Sequence, residues 1–333
     1  MSGEVYFHYS YITRANKWTK SEAQSKLISH FFKPNSFFDR DTKNEFFIGI
    51  NPNDGKKYLL ISERGFREIR TDLEAHLSTK LSFFPEAQDI VYTDLEAFYI
   101  ENAVDYDKIE KDIKKFNKEA VTKAKLLNNL KELARARQMY EEKVYYFVAI
   151  DVESYEKDHS CLLEVGWSIY DSRKDIFMDR HFCVKEYRHL KNGQYLADMK
   201  DRFMFGKTVW ASLAEISEEF LRDITPDDES DDKVTVLVGH DVNIDVKYFE
   251  GMGKHMKNAL ENLVKFDTAI MYAAREGKAH DRVSLGNLAD ALNVENYCLH
   301  NAGNDAHFTL LSFIELCKLP VPQIITTKVV ASS

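Results

Sequence analysis

A chain of 333 residues with 44% hydrophobic and 30% charged residues has the composition of a globular protein of about two domains. The formal net charge of −9 is a poor fit to a protein that coats nucleic acid in bulk, and no run approaches the ~18–20 consecutive apolar residues of a membrane-spanning helix. The cysteines, Cys161, Cys183, Cys298 and Cys317, show no CxxC spacing, which argues against a zinc knot or a disulfide framework.

The N-terminus, Met1-Ser-Gly-Glu-Val-Tyr-Phe7, has neither a basic segment followed by an apolar one nor the Arg-rich look of an organelle import signal. Cytoplasmic or nuclear residence is the expectation. Residues 1–105 read as a small α+β domain without a catalytic motif. Ser21–Phe32 and Phe66–Leu77 have helical period, and the strand-like runs Phe46–Ile50 and Tyr58–Ile61 flank Asn51-Pro-Asn-Asp-Gly55, which is strong turn chemistry for a hairpin. The dense aromatics Phe31, Phe32, Phe37, Phe38, Phe46 and Phe47 read as core rather than as a base-stacking platform.

Residues 106–143 contain no Gly or Pro and read as one long basic amphipathic connecting helix. Ile109, Ile113, Phe116, Ala120, Ala124, Leu127, Leu130 and Ala134 recur every three or four positions as a single apolar stripe. Its 11 Lys/Arg against 7 Asp/Glu contrast with 21 against 31 in residues 144–333. Part of that acidity is the run Asp227-Asp-Glu-Ser-Asp-Asp232, which reads as a solvated loop.

Residues 144–320 read as one α/β domain. Val144–Val152, Cys161–Tyr170 and Ile176–Val184 are three strand candidates with short joins, which form an antiparallel meander. A helix over Leu213–Leu221, an apolar strand Val234–Gly239 and helices through Leu260 follow. Then come an extended piece, Lys265–Thr268, and helices over Met271–Glu276, Ser284–Leu292 and Ala302–Cys317. Antiparallel strands followed by alternating strands and helices imply a mixed sheet with helices on both faces. Residues 321–333 read as a loosely attached tail.

The chemistry concentrates in this last domain. Asp151 and Glu153 end an apolar strand and project to the same face, because side chains alternate along a strand. Two carboxylates so placed repel each other, and a divalent cation removes the conflict. Asp245 opens the helix after Val234–Gly239, and Asp305 lies in the opening turns of Ala302–Cys317. His300 precedes that helix by a short loop. Two cations roughly 3.5–4 Å apart can activate a water and stabilise a leaving oxygen, and histidine suits the task of deprotonating that water. Each piece alone is weak evidence: Asp-x-Glu is commonly a solvated strand edge, and His-x4-Asp is commonly surface decoration.

Taken together the motifs resemble those of the DEDDh 3′–5′ exonucleases of the RNase-T/proofreading-exonuclease superfamily, which implies an RNase H-like fold over residues 144–320. The first motif is Ile150-Asp-Val-Glu-Ser154 with Glu164-Val-Gly166 following. The second runs from Gly239-His240 through Asp245-Val-Lys-Tyr-Phe249, and the third from His300 to Asp305-Ala306. Phe266-Asp-Thr268 and Ser284-Leu-Gly-Asn-Leu-Ala289 match connecting elements, and the His-x4-Asp spacing points to the His subclass. Arg202-Phe-Met-Phe-Gly206 adds a resemblance to fungal proteins related to the good-for-full-DEAD-box-activity factor and to QIP-like exonucleases.

The resemblance implies that Asp151, Glu153, Asp245 and Asp305 hold two Mg²⁺ or Mn²⁺ ions. It makes His300 the general base and a nucleoside 5′-monophosphate the product. The expected substrate is a single-stranded 3′ end, with RNA favoured over DNA. Ser154, His240, Asn243, Lys247, Arg202 and Asn301 are the candidates for substrate contact, although His240 alone also fits a structural strand-end role. Ser154 stands where Thr is commoner and Asp241 where Asn is usual. The alternative is a catalytically weak adaptor in RNA metabolism, binding nucleic acid or a protein partner through residues 1–143.

Overall fold

The computed structural model describes residues 4–86, 90–225, 234–281 and 283–322, and divides into two compact units, residues 1–124 and 125–333. The acidic run 227–232 and residues 323–333 of the expected tail lie outside the described residues.

The first unit contains β1 (Tyr6–His8), α1 (Tyr9–Ile12), α2 (Ala15–Trp18), α3 (Glu22–Phe31), α4 (Pro34–Phe37), β2 (Glu45–Ile50), β3 (Lys57–Ser62), α5 (Glu63–Leu77) and β4 (Thr93–Tyr99). Its antiparallel sheet has the order β1-β3-β2-β4. The β2–β3 hairpin turns at Gly55, whose φ of 66° suits glycine and whose N–H donates to the Asn51 carbonyl at 2.8 Å. All six clustered phenylalanines are buried, most of them in one aromatic core with Tyr9, Trp18 and Phe66. Their role is packing.

Helix α6 (Ala103–Glu142) is long, and the boundary between the units falls inside it. Ile113 belongs to the core of the first unit, and Leu130, Leu133, Ala136 and Met139 to a core of the second. The expected single stripe is corrected on this point: Ala124 and Ala134 are exposed, and the buried positions of the C-terminal half run through Leu133 and Ala136.

The second unit continues with β5 (Tyr145–Tyr155), β6 (Asp158–Asp171), β7 (Ile176–Val184), β8 (Thr208–Ala211), α7 (Leu213–Ile224) and β9 (Val234–Gly239). Then follow α8 (Val242–Gly251), α9 (Lys254–Glu261), β10 (Val264–Asp267), α10 (Thr268–Arg275), α11 (Leu285–Ala291) and α12 (Ala302–Lys318). The sheet order is β10-β9-β5-β6-β7-β8. β5–β6 and β6–β7 pair antiparallel, whereas β5–β9, β9–β10 and β7–β8 pair parallel. This is the RNase H-like mixed sheet. Strand β6 sits between β5 and β7 and is buried from Leu162 to Asp171, so its sequence reads as a nearly continuous apolar run.

Alternation along β5 builds both faces. Phe147 and Ala149 pack with α12, α10 and the end of α6, while Val148 and Ile150 pack with α7, α8 and α9. By the same alternation Asp151 and Glu153 continue the α12 face past the end of the core.

Candidate active site

Three elements bring the carboxylates together. Asp151 and Glu153 lie on β5, where Asp151 pairs with Gly166 and Glu153 with Glu164. Asp305 is in the first turn of α12, and Asp245 in the first turn of α8. The close approach of α12 depends on Gly166. A Cβ there would lie 2.2 Å from the Ala302 carbonyl carbon and 2.4 Å from the Gly303 nitrogen, which leaves no room for any side chain.

His300 stands at φ 67°, in the left-handed region, and its backbone N–H donates to Asp305 Oδ2 at 3.0 Å. The backbone is thus fixed to the site while the side chain is 49% exposed, with Nδ1 3.9 Å from Glu153 Oε1. Ligand atoms of Glu153, His300 and Asp305 all lie within 4.8 Å of one another. All five sequence candidates converge.

The electrostatics are unfavourable for a metal-free cluster. Burial pushes Asp151 well above the usual carboxylate range, and Asp245, Asp305, Glu153 and Glu164 push it further. Burial raises Glu153 to about 8, with Glu164 and Asp305 adding to it. Burial raises Asp305 to about 7, against the His300 N–H, which stabilises the charge. Asp245 is raised by burial and then by Asp241, Asp267 and Glu153, against the Val152 N–H.

Asp151 Oδ2, Asp245 Oδ2 and Asp305 Oδ1 are also buried without a hydrogen-bond partner among the described residues. Orphaned buried oxygens on mutually repelling carboxylates are costly in themselves. As a set of hard oxygen donors they fit divalent cations of the Mg²⁺ or Mn²⁺ type.

A second ring of side chains holds this cluster in place. Glu164, buried to 3% exposure, places Oε2 2.9 Å from His181 Nε2, and His181 Nδ1 lies 2.9 Å from Thr208 Oγ1. Asn301 is fully buried. Its Nδ2 donates to the Met199 carbonyl at 3.0 Å and reaches Glu164 Oε2 at 3.4 Å, and its Oδ1 accepts the Asn304 N–H. Asn304 in turn holds the backbone of Arg202 and Met204.

These bonds bear on two of the substrate-contact candidates. Asn301 is spent on α12 and the 199–200 backbone. Both ring nitrogens of His240 are engaged, by Thr268 Oγ1 at 2.9 Å and the Val283 carbonyl at 2.8 Å, so that residue has the structural role. Asn243 and Lys247 are exposed on α8, and Arg202 is exposed beside the segment held by Asn304. Ser154 lines a cleft of about 410 Å³ that opens on Glu153 and Asp245.

Among the other lining residues of this cleft, Ile244 and Tyr248 fall inside the second motif, whereas His159, Tyr195 and Leu196 were not singled out in the sequence. Neither was His181. Tyr195 and His181 carry no spacing signal, since their partners lie 39 residues away for Tyr195 and 17 and 27 for His181. A larger cleft of about 630 Å³, lined by Phe205, Tyr297 and His307 among others, touches none of the four carboxylates.

Good for full DBP5 activity protein 2 of Saccharomyces cerevisiae is 27% identical over 212 residues, covering 54% of this chain and 37% of that protein. An uncharacterized nucleolar protein of Schizosaccharomyces pombe, C2C4.08, is 27% identical over 219 residues, covering 61% of this chain and 85% of that protein. The chain spans less than half the length of the budding-yeast relatives it matches, 44% and 37%. Among solved structures, the RNase domain of the yeast Pop2 protein superposes with a TM-score of 0.35 at 14% identity, covering 57% of this chain and 83% of that one. Residues 146–316, just over half of the chain, match the DEDDh_C family, described as DNA polymerase III subunit epsilon-like, C-terminal domain, and the chain belongs to that family.

Proposed function

We propose that the protein is a metal-dependent 3′–5′ exonuclease that shortens single-stranded nucleic acid, RNA in preference to DNA, and releases nucleoside 5′-monophosphates. The observation that carries this reading is the convergence of Asp151, Glu153, Asp245 and Asp305, three of them with a buried unpartnered oxygen, beside the half-exposed His300. Those four carboxylates are the residues that would hold two divalent cations. When bound, such ions supply Lewis-acid activation of a water and charge stabilisation at the leaving oxygen.

The chain's own part is to place a proton acceptor and to keep it oriented. The His300 imidazole reaches solvent on one side and Glu153 on the other, so it can take a proton from a water entering the site and pass it outward. The pinned backbone of His300 limits the loss of that orientation. Asp151 lies on β5 opposite Gly166, the residue against which α12 packs, and anchors the set.

The test is digestion of 5′-labelled RNA and DNA oligonucleotides with Mg²⁺ or Mn²⁺, repeated with Asp151→Ala and His300→Ala. We expect a ladder shortening from the 3′ end, abolished by EDTA. Each substitution should slow it by about 10²-fold or more. Wild-type rates in both variants would refute the assignment.

The alternative is a catalytically weak adaptor acting through residues 1–143. The name of one relative favours it, since that protein is described by the activity of a second one. Calorimetric titration of Mn²⁺ separates the two readings: heat of binding that disappears in Asp151→Ala supports the enzyme. A nuclear site of action is consistent with the nucleolar designation of the fission-yeast relative. No helix among the described residues is long and apolar enough to cross a membrane.

A further inference from the structure

The cleft beside Glu153 and Asp245 has a wall that belongs to no motif. Four successive backbone N–H groups, those of Gly193, Gln194, Tyr195 and Leu196, donate to the Glu156 carboxylate at 3.3, 2.9, 2.9 and 3.4 Å. A run of convergent N–H groups is an anion-binding concavity. Here the anion is the side chain of Glu156, in the turn directly after β5 and three residues beyond Glu153. The clasp is reciprocal: Asn192 Oδ1 accepts the Glu156 N–H at 2.9 Å, and Asn192 Nδ2 donates to the Ser154 carbonyl at 3.0 Å. Gly193, at φ 144°, permits the turn.

The clasp presents two side chains at the cleft. Tyr195 is 73% exposed and Leu196 40% exposed, facing a space whose other side carries Ile244, 56% exposed, and Tyr248. Among the described residues that line this cleft there is no Lys or Arg. Apolar and aromatic surface around an acidic floor suits the flat face of a nucleobase, and about 410 Å³ falls within the ~300–1,000 Å³ range of small-ligand sites.

We infer that Glu156 is a positioning residue which, through residues 193–196, holds Tyr195 and Leu196 against the terminal nucleobase of a single-stranded end. This rests on the nuclease reading, and it adds a base-tolerant preference for unpaired ends that comes from packing rather than from hydrogen-bond readout. A base held in a duplex cannot enter such a slot without first unpairing.

The experiment uses the full chain and an oligonucleotide with 2-aminopurine at its 3′ terminus. Binding is read as a change in the probe's emission in EDTA, and turnover as kcat and KM with Mn²⁺ on single-stranded and blunt duplex substrates. For Tyr195→Ala we expect KM on single strands to rise about tenfold, with kcat within threefold of wild type and the emission change lost. Tyr195→Phe should restore both. Glu156→Ala should reproduce Tyr195→Ala although it leaves the tyrosine in place, and Glu156→Gln should fall between.

Wild-type KM and emission change in both Tyr195→Ala and Glu156→Ala would overturn the inference while leaving the nuclease reading intact. If the wild-type chain neither cuts nor alters the probe, both fail together. If it alters the probe without cutting, the emission change alone decides the clasp.

Discussion

Asp241 sits at φ 68° and ψ 40°, in the left-handed region, immediately before α8. Asn and Asp tolerate that backbone better than other residues with a side chain. The position therefore asks for a short polar residue, and the choice of Asp over Asn is a choice of charge. That charge is exposed, and it raises both Asp245 and the α10-capping Asp267. Asp241→Asn should leave stability within about 0.5 kcal/mol, because the backbone preference is kept. It should lower KM for an oligonucleotide about twofold to fivefold by removing one exposed repulsion toward phosphates, an effect that fades as salt is raised. Asp241→Val should instead cost roughly 1–2 kcal/mol in a urea titration, since a β-branched residue is strained there. Equal KM values for wild type and Asp241→Asn at low salt would remove Asp241 from the substrate's path.

At the scale of elements, the position of α12 decides whether the site exists. Its N-terminal turn carries Asp305, follows His300, and lies against Gly166 with no space for a methyl group. Gly166→Ala should destabilise the protein by about 2 kcal/mol or more and cut activity at least about tenfold, because the helix must shift away from Asp151. Gly251→Ala is the control, since a Cβ there meets nothing within 4 Å and its φ is not positive; it should be neutral or slightly stabilising. Urea midpoints and rates of both variants check the pair. A fully stable and active Gly166→Ala would show that α12 moves without consequence.

The same elements show what was legible in the sequence. β9 was readable to the residue because its apolar run ends at Gly239-His240, and β7 because it follows the turn-rich stretch Asp171-Ser-Arg-Lys-Asp175. β8 was missed because four residues carry too little alternation, and β4 because nearly all of it is exposed and only its pairing with β2 makes it a strand. The five candidate residues could be picked out because each stands at the edge of an element and the spacing within each motif is local. The clasp at Glu156 was not, since its partners lie 37 to 40 residues away in a stretch without period.

At the scale of the whole chain, the net charge of −9 includes the four carboxylates of the cluster, and stability should follow their titration. Glu153 is raised to about 8 and Asp305 to about 7, with Asp151 and Asp245 displaced in the same direction. In the unfolded chain these groups ionise near pH 4. Below that pH, both states are protonated and nothing is lost. Between about pH 4 and 8 the unfolded chain gives up protons that the metal-free folded state retains, so the folded state binds more protons and its stability falls as pH rises.

The metal-free protein should therefore melt lower at pH 8 than at pH 6, by about 5 °C or more, in the transition that reports residues 125–333. Mn²⁺ should raise that melting temperature, and by more at pH 8, where the carboxylates most need a counter-charge. Asp245→Asn removes one of the repelling charges. It should raise the metal-free melting temperature at pH 8 while shrinking the Mn²⁺ effect and the activity together, which is the opposite of what loss of a structural carboxylate would do. Calorimetric scans of both proteins at the two pH values, with and without Mn²⁺, test this. A metal-free wild type that is equally stable at pH 6 and 8 would mean that the buried carboxylates are compensated by something other than a cation.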